Sequence, residues 1–216
     1  MENKPKVSVI MSVFNGQKFL NESIQSILGQ TFEDFELIII DDGSTDRSLE
    51  IAKSFQRKDK RIIIISHSNK GLAKSLNIGI KSSQGDYIAR MDADDISYKD
   101  RLMKQYKFME NNQSLDLIGC SIDVIDECGK IQSEKKQYTT AEKIFKTKYF
   151  QSPILHITFF GKKSFFEKHK GYRENLLYAQ DYDLVLRAID SGAKILNISE
   201  KLVQYRDFKE KVKPLK

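Results

Sequence analysis

The chain has 216 residues, 40% of them hydrophobic, with 36 Lys and Arg against 30 Asp and Glu for a formal charge of +6. That size and apolar content fit one globular domain, and no stretch approaches the roughly 20 apolar residues of a membrane-spanning helix. Two cysteines, Cys120 and Cys128, and three histidines spread along the chain exclude a disulfide framework and leave no pattern for zinc, so the thiols are expected to be reduced. The polar start MENKPK lacks the apolar segment of a signal peptide, which makes a cytoplasmic location the expectation.

In chain order, β-branched runs alternate with helical patterns. The runs VSVIMSV (7 to 13), FELIIID (35 to 41), RIIIIS (61 to 66) and DYIARM (86 to 91) read as buried strands. Between them, residues 17 to 29, 45 to 57 and 71 to 82 carry apolar positions at helical spacing. Strand and helix in alternation, with short connections, predict right-handed crossovers and a mostly parallel central sheet covered by helices on both faces. Ser97 with Asp100 reads as a capping box opening a helix whose face is Leu102, Tyr106 and Met109. LDLIGCSIDVID follows as a strand, with Glu127, Cys128, Gly129 and Lys130 as a hairpin turn, which predicts a small antiparallel element. Residues 139 to 150 are expected to be helical, 154 to 161 extended, and 180 to 191 helical.

Open α/β sheets bind ligands beyond the carboxyl ends of their strands. Those ends read Phe14-Asn15-Gly16, Asp41-Asp42-Gly43-Ser44 and Asp92-Ala93-Asp94-Asp95. Three carboxylates within four positions repel one another unless a positive charge sits among them. A hard divalent cation such as magnesium or manganese prefers oxygen ligands and pairs naturally with a diphosphate, whereas a helix cap would need only one aspartate. Asp41 and Asp42 fit hydrogen bonding to a base or ribose as well as they fit shaping a turn. One glycine, Gly16, after the first strand excludes the G-x-G-x-x-G dinucleotide fingerprint, and the P-loop pattern is absent.

VSVIMSVFNG, QTFEDFELIIIDDGSTDRS, NKGLAKSLNIGI and GDYIARMDADD, in this order and spacing, resemble the inverting family 2 glycosyltransferases with the GT-A fold, over residues 6 to 206. The resemblance implies a single domain over 1–216, with a nucleotide-sugar-binding half to about residue 100 and an acceptor half after it. It implies that Ser12, Val13 and Phe14, with Asn15 beside them, line the base pocket and that Asp42 contacts the base. Asp92, Ala93 and Asp94 match the family's D-x-D. By that match Asp94 holds Mn2+ or Mg2+, Asp92 touches the ribose or the metal through water, and Asp95 supports them. The donor is then a nucleotide-diphosphate sugar, most commonly a UDP-sugar.

PILHITFFGKKSFF, and GYREN followed by YAQDYDLVLRA, are similar to the family's acceptor segments. The match makes Asp181 the catalytic base, with His156 and Gln180 on the acceptor side. Without the family, Asp181 and Asp183 read as helix-dipole partners in a first turn, and His156 as a satisfied strand histidine. The chain departs from the family pattern at Gln180, where many relatives have Glu; at Ile157, where many have Pro; at Leu76, where some carry Arg, leaving Lys70 or Lys74; and at Phe208, where a His is frequent. The resemblance as a whole implies transfer to a saccharide or lipid-linked saccharide acceptor in surface polysaccharide or cell-envelope glycan synthesis. The alternative is a degenerate nucleotide-sugar-binding subunit that has lost turnover.

Residues 206 to 216 hold five basic and two acidic side chains, a pattern that suits a solvated tail better than its alternative, peripheral contact with anionic lipid at the inner face of the membrane. Aromatic residues are not interleaved with Lys and Arg along any stripe, so nucleic acid is not an expected partner.

Overall fold

The computed structural model describes residues 4–208. Four parallel strands, β1 (Val7–Val13), β2 (Phe35–Asp41), β3 (Ile62–Ser66) and β4 (Tyr87–Asp92), lie in the order β3-β2-β1-β4. Between them run α1 (Leu20–Leu28), α2 (Ser48–Gln56) and α3 (Leu72–Ser82). Both faces of β1 are buried: Val7, Val9, Met11 and Val13 join one core, and Ile10 the other. This is why the strand reads as a continuous apolar run rather than an alternating one. Each fully buried Ile or Leu contributes about 1.5–3 kcal/mol. A Cβ on Gly79 would lie 2.5 Å from Ile10 Cγ2 and 2.9 Å from Ile40 Cδ1, so glycine is what lets α3 lie this close to the sheet.

The second half extends the same sheet. The strands β5 (Ile96–Ser97), β6 (Leu117–Ile125), β7 (Ile131–Lys135), β8 (Phe160–Lys162) and β9 (Ile195–Arg206) complete the order β3-β2-β1-β4-β8-β6-β9-β5, with β7 paired to β6. Of these, β8 runs antiparallel to β4 and β6, whereas β6 and β9 are parallel. The helices here are α4 (Arg101–Asn111), α5 (Ala141–Thr147), α6 (Lys163–Lys168) and α7 (Gln180–Asp190). The expected hairpin turn joins β6 to β7, with Gly129 at φ +81°. Cys120 is buried, Cys128 is exposed, and both are free thiols.

Two expectations are corrected. The Ser97 and Asp100 capping box does not form. Ser97 pairs with Val203 of β9 instead, and its hydroxyl accepts a hydrogen bond from Arg101 Nη1 at 3.0 Å. Asp100 occupies the N-cap of α4 without a side-chain capping bond, its carboxylate pairing instead with Lys104 at 2.7 Å. The edge of β9 outcompetes the local cap for Ser97. The segment 154 to 161 is not extended throughout: a 3-10 turn at His156–Thr158 separates its start from β8, with the Thr158 amide bonded to the Leu155 carbonyl at 2.9 Å. Of the basic segment 206 to 216, residues 209 to 216 lie outside the described residues. Among the described residues no helix is long and apolar enough to cross a membrane.

Candidate active site

The carboxyl ends of β1, β2 and β4 meet along one edge, with Ser12 facing Ile40 on one side and Asp92 on the other. The loops after β1 and β2 are laced together. Asn15, at φ +52°, accepts hydrogen bonds from the Thr45 and Asp46 amides at 2.8 and 3.3 Å, and its own amide donates to Ser44 Oγ at 3.0 Å. Asn15 thus holds the rim in shape. Val13 is buried behind it, and Phe14 stands 53% exposed as a free apolar surface. Asp42 is buried, and its two oxygens accept from the Lys70 and Gly71 amides at 2.7 and 3.0 Å, tying the β2 end to the start of α3. Gly43, at φ +75°, makes that turn, and a Cβ there would lie 2.5 Å from the Asn69 nitrogen.

The three aspartates after β4 place ligand oxygens within 4.8 Å of one another. Burial, and then the Asp92 charge, push the Asp94 carboxyl up from its usual range. The same two causes push Asp95 up to about 8. Asp95 is fully buried; its Oδ1 accepts from the Arg206 amide at 2.7 Å, and its Oδ2 has no partner. An orphaned carboxylate oxygen beside two further carboxylates fits a hard divalent cation, which would relieve both the repulsion and the missing contact.

Two buried arginines answer part of the charge problem without any ion. Arg90, two residues before Asp92, forks onto both Asp92 oxygens, with its side chain 5% exposed and that of Asp92 27% exposed. Arg206, at the end of β9, donates from Nε to the Asp94 carbonyl at 2.9 Å and from Nη1 to the Asp126 and Glu127 carbonyls at 3.0 and 2.9 Å. Its Nη2 reaches Glu22 at 2.7 Å, and its guanidinium lies 4.3 Å from the Phe19 ring centre. Arg90 did not stand among the residues read from sequence, and Arg206 was read there only as part of the basic segment 206 to 216, whereas the structure buries it at 2% exposure. Arg90 was within reach of a simple signal, because positions i and i+2 of a strand share a face. Arg206 was not, since its partners lie up to 184 positions away.

The acceptor-side residues gather on the α3 face of the sheet. His156 Nε2 lies 2.9 Å from the Tyr172 hydroxyl. Burial, and then the charge of Arg90, hold His156 well below the usual histidine range. Burial pushes the Tyr172 hydroxyl up; Arg90 opposes this, and Asp181 and Asp92 add to it, so Tyr172 lies within electrostatic reach of both carboxylates. Asp181 and Asp183 both stand in the first turn of α7. Asp183 is paired with Arg173 at 2.9 Å and Arg187 at 2.8 Å, whereas no side chain among the described residues pairs with Asp181. Gln180 is 9% exposed with its Oε1 unpartnered, and Ala179 before it adopts φ +55°. A non-glycine residue in that region is strained.

The geometry has clear relatives. Residues 8–177 match the family model for glycosyl transferase family 2. An uncharacterized glycosyltransferase of Methanocaldococcus jannaschii is 41% identical over 208 residues, covering 94% of this chain and 71% of that protein. The O-antigen biosynthesis glycosyltransferase WbnJ of Escherichia coli is 38% identical over 205 residues, covering 93% of this chain and 79% of that one. Among solved structures, S. aureus TarS residues 1-349 in complex with UDP superposes with a TM-score of 0.80 at 20% identity. That match covers 94% of this chain, which spans only 60% of the TarS chain. A TarS structure in complex with UDP-GlcNAc superposes equally well, again with a TM-score of 0.80. The fold is therefore GT-A, and the chain belongs to glycosyl transferase family 2.

Proposed function

We propose that the protein moves a sugar from a nucleotide-diphosphate sugar, with a UDP-sugar as the expected donor, to a hydroxyl of a saccharide or lipid-linked saccharide, inverting the anomeric centre. Surface polysaccharide or cell-envelope glycan synthesis is the setting. The carrying observation is the contrast at the site: Asp94 and Asp95 are crowded at the sheet edge with raised pKa values, while Asp181 stands unpaired on the acceptor side. UDP and UDP-GlcNAc complexes of TarS support the donor class.

In this reading Asp94 would hold Mn2+ or Mg2+, with Asp92 near the ribose and Asp95 behind. Such an ion supplies Lewis-acid stabilisation of the charge that develops on a departing diphosphate. Ser12, Val13, Phe14 and Asn15 border the base and ribose, and Asp42 fixes the rim. Asp181 accepts the proton of the acceptor hydroxyl as its oxygen forms the bond to the anomeric carbon. The bond to the diphosphate breaks on the opposite face, and its electron pair leaves with that oxygen. One base and no protein nucleophile suffice, which is why the product is inverted. His156 and Gln180 line the acceptor side.

Purified protein with manganese is expected to bind UDP, seen as a raised melting midpoint, and to hydrolyse a UDP-sugar slowly. Asp94→Ala is expected to abolish both effects. Retention of both would overturn the metal assignment. The unpartnered amide oxygen of Gln180 favours one second reading, a nucleotide-sugar-binding subunit without turnover. Donor binding with no transfer to any saccharide acceptor would select it.

A further inference from the structure

Away from the donor turn, α5 and the turns beside it carry large apolar side chains in solvent. Phe150, just past α5, is 88% exposed, and Phe145 and Tyr149 are exposed with it. Leu177 and Tyr178, 86% and 85% exposed, stand in the turn leading into α7, and that helix is tied to the end of α5 where the Tyr182 hydroxyl donates to the Lys148 carbonyl. Large apolar side chains grouped at a surface mark an interaction site. A buried cation holds two of the rings in place. Lys148 is buried and paired with Asp190 at 2.7 Å, and its ammonium lies 4.3 Å from the Phe145 ring centre and 4.8 Å from that of Tyr149. Residues 134 to 150 hold five lysines against two glutamates, and Lys135, Lys136, Lys143 and Lys146 are exposed. Both glutamates are already paired, Glu134 with Lys136 and Glu142 with Lys146. Lysines and aromatic rings are thus interleaved here, which corrects the expectation that no stripe combines them.

We propose that this face docks on a membrane surface containing anionic lipid, with Phe145, Tyr149, Phe150, Leu177 and Tyr178 entering the headgroup boundary and the exposed lysines meeting lipid phosphates. Aromatic side chains favour the headgroup level, and lysines gain from the negative potential of an anionic leaflet. Stable peripheral contact takes two such signals together, one apolar and one basic. A second copy of this chain in the same place would set lysines against lysines, and a nucleic acid would leave Leu177 without an apolar partner. The surface is separate from the basic segment 206 to 216 and needs none of its residues. Its position also matters for the acceptor side, since Tyr178 and Leu177 precede Asp181 by three and four residues. Docking here sets the first turn of α7 against the membrane, where a lipid-linked acceptor is anchored. That last consequence rests on the proposed function; the docking surface itself does not.

The test is flotation with vesicles of phosphatidylcholine, with and without phosphatidylglycerol. The chain is expected to float with the anionic vesicles, to stay behind with the neutral ones, and to be released by high salt. Tyr149→Ser with Phe150→Ser, and separately Lys143→Gln with Lys146→Gln, are each expected to weaken anionic vesicle binding at least about tenfold. All four side chains are exposed and outside the donor site, so the melting shift with UDP should stay as in the wild type. Wild-type protein that does not float, or variants that float as well as it does, overturn the proposal. The chain has no tryptophan, so Phe150→Trp provides a single reporter at an exposed aromatic position. Its emission should move to the blue with anionic vesicles and be quenched by brominated lipid; an unmoved spectrum sinks the proposal even if the serine variants fail to fold. Dimerisation or binding of a single-stranded oligonucleotide that these variants abolish, without flotation, gives the face to another partner and overturns it too. Flotation without sugar transfer counts against the proposed function and supports the docking surface, whereas transfer without flotation removes the docking surface alone.

Discussion

The two halves of the site treat their aspartates alike. Among the described residues, on the donor side Asp92 is forked by the buried Arg90 while Asp94 has no side-chain partner, and on the acceptor side Asp183 is held by Arg173 and Arg187 while Asp181 has none. In each half one carboxylate is tied into the structure, and the neighbour two positions away is the one to which the proposed function gives the chemistry. Asp94 and Asp181 are both partly exposed, and the difference lies in their neighbours: Asp94 is followed by the fully buried Asp95, whereas Asp181 stands in the first turn of α7 between Gln180 and Tyr182. In the proposed reading a crowded, desolvated turn suits an ion, and a single partly open carboxylate suits a base that an acceptor hydroxyl must reach.

Asp181→Asn bears hardest on this comparison. It is expected to lower transfer about 10³-fold while leaving UDP binding unchanged, measured by product release and calorimetry, since a general base contributes roughly 10²–10⁴-fold. Unchanged turnover would move the base elsewhere. Arg206→Met comes next, because it strips the donor turn of its support: about 3 kcal/mol of stability should vanish in denaturant melts, with three carbonyls left without their donor. Asp183→Asn should cost about 1–2 kcal/mol and spare most of the activity. If it matched Asp181→Asn in the transfer assay, the division between tied and free carboxylates in α7 would fail.

The smallest effect is a pH dependence. His156 has its pKa lowered in the folded protein by burial and by Arg90, so the unfolded chain binds the proton more readily. Its contribution is intact above the unfolded value near 6.5 and is lost as pH falls below it, at up to about 1.4 kcal/mol per pH unit. The raised Asp95 acts in the opposite sense, stabilising the fold as pH falls from about 8 toward the carboxylate range. Comparing wild type with His156→Gln cancels that opposing contribution. The difference in melting midpoint between the two proteins should narrow from pH 6.5 to 5.5, and parallel profiles would show that His156 is not held neutral.

The nucleotide half was legible because its physics is local. Strands buried on both faces are contiguous β-branched runs, and the helices between them keep a clear apolar face. The acceptor half was less so. The sequence ILNISEKLVQYR of β9 mixes polar and apolar residues because the strand contacts different neighbours along its length, and its pairing with β6 shifts register around Ser121. That same strand captured Ser97 from the expected cap. The carboxylates were visible as a cluster, and Arg90 beside Asp92 lay within local reach, but the bond from the Arg206 amide to Asp95 and the pairing of Arg173 with Asp183 arise only through tertiary packing. Asp42 illustrates the middle ground: its position at a strand end was evident, while its grip on the Lys70 and Gly71 amides required the loop after β3 to be in place.

The long reach of Arg206 sets the order in which the protein can mature. Asp94 and Asp95 are translated more than a hundred residues before the side chain that braces them, so a nascent chain carries an unfinished donor turn while the parallel strands are already able to pair. In the proposed reading, competence to hold a ligand there arrives with the closing strand, and a chain released at residue 205 would hold strands β1 to β4 but lack the Arg206 bonds that brace the acidic turn.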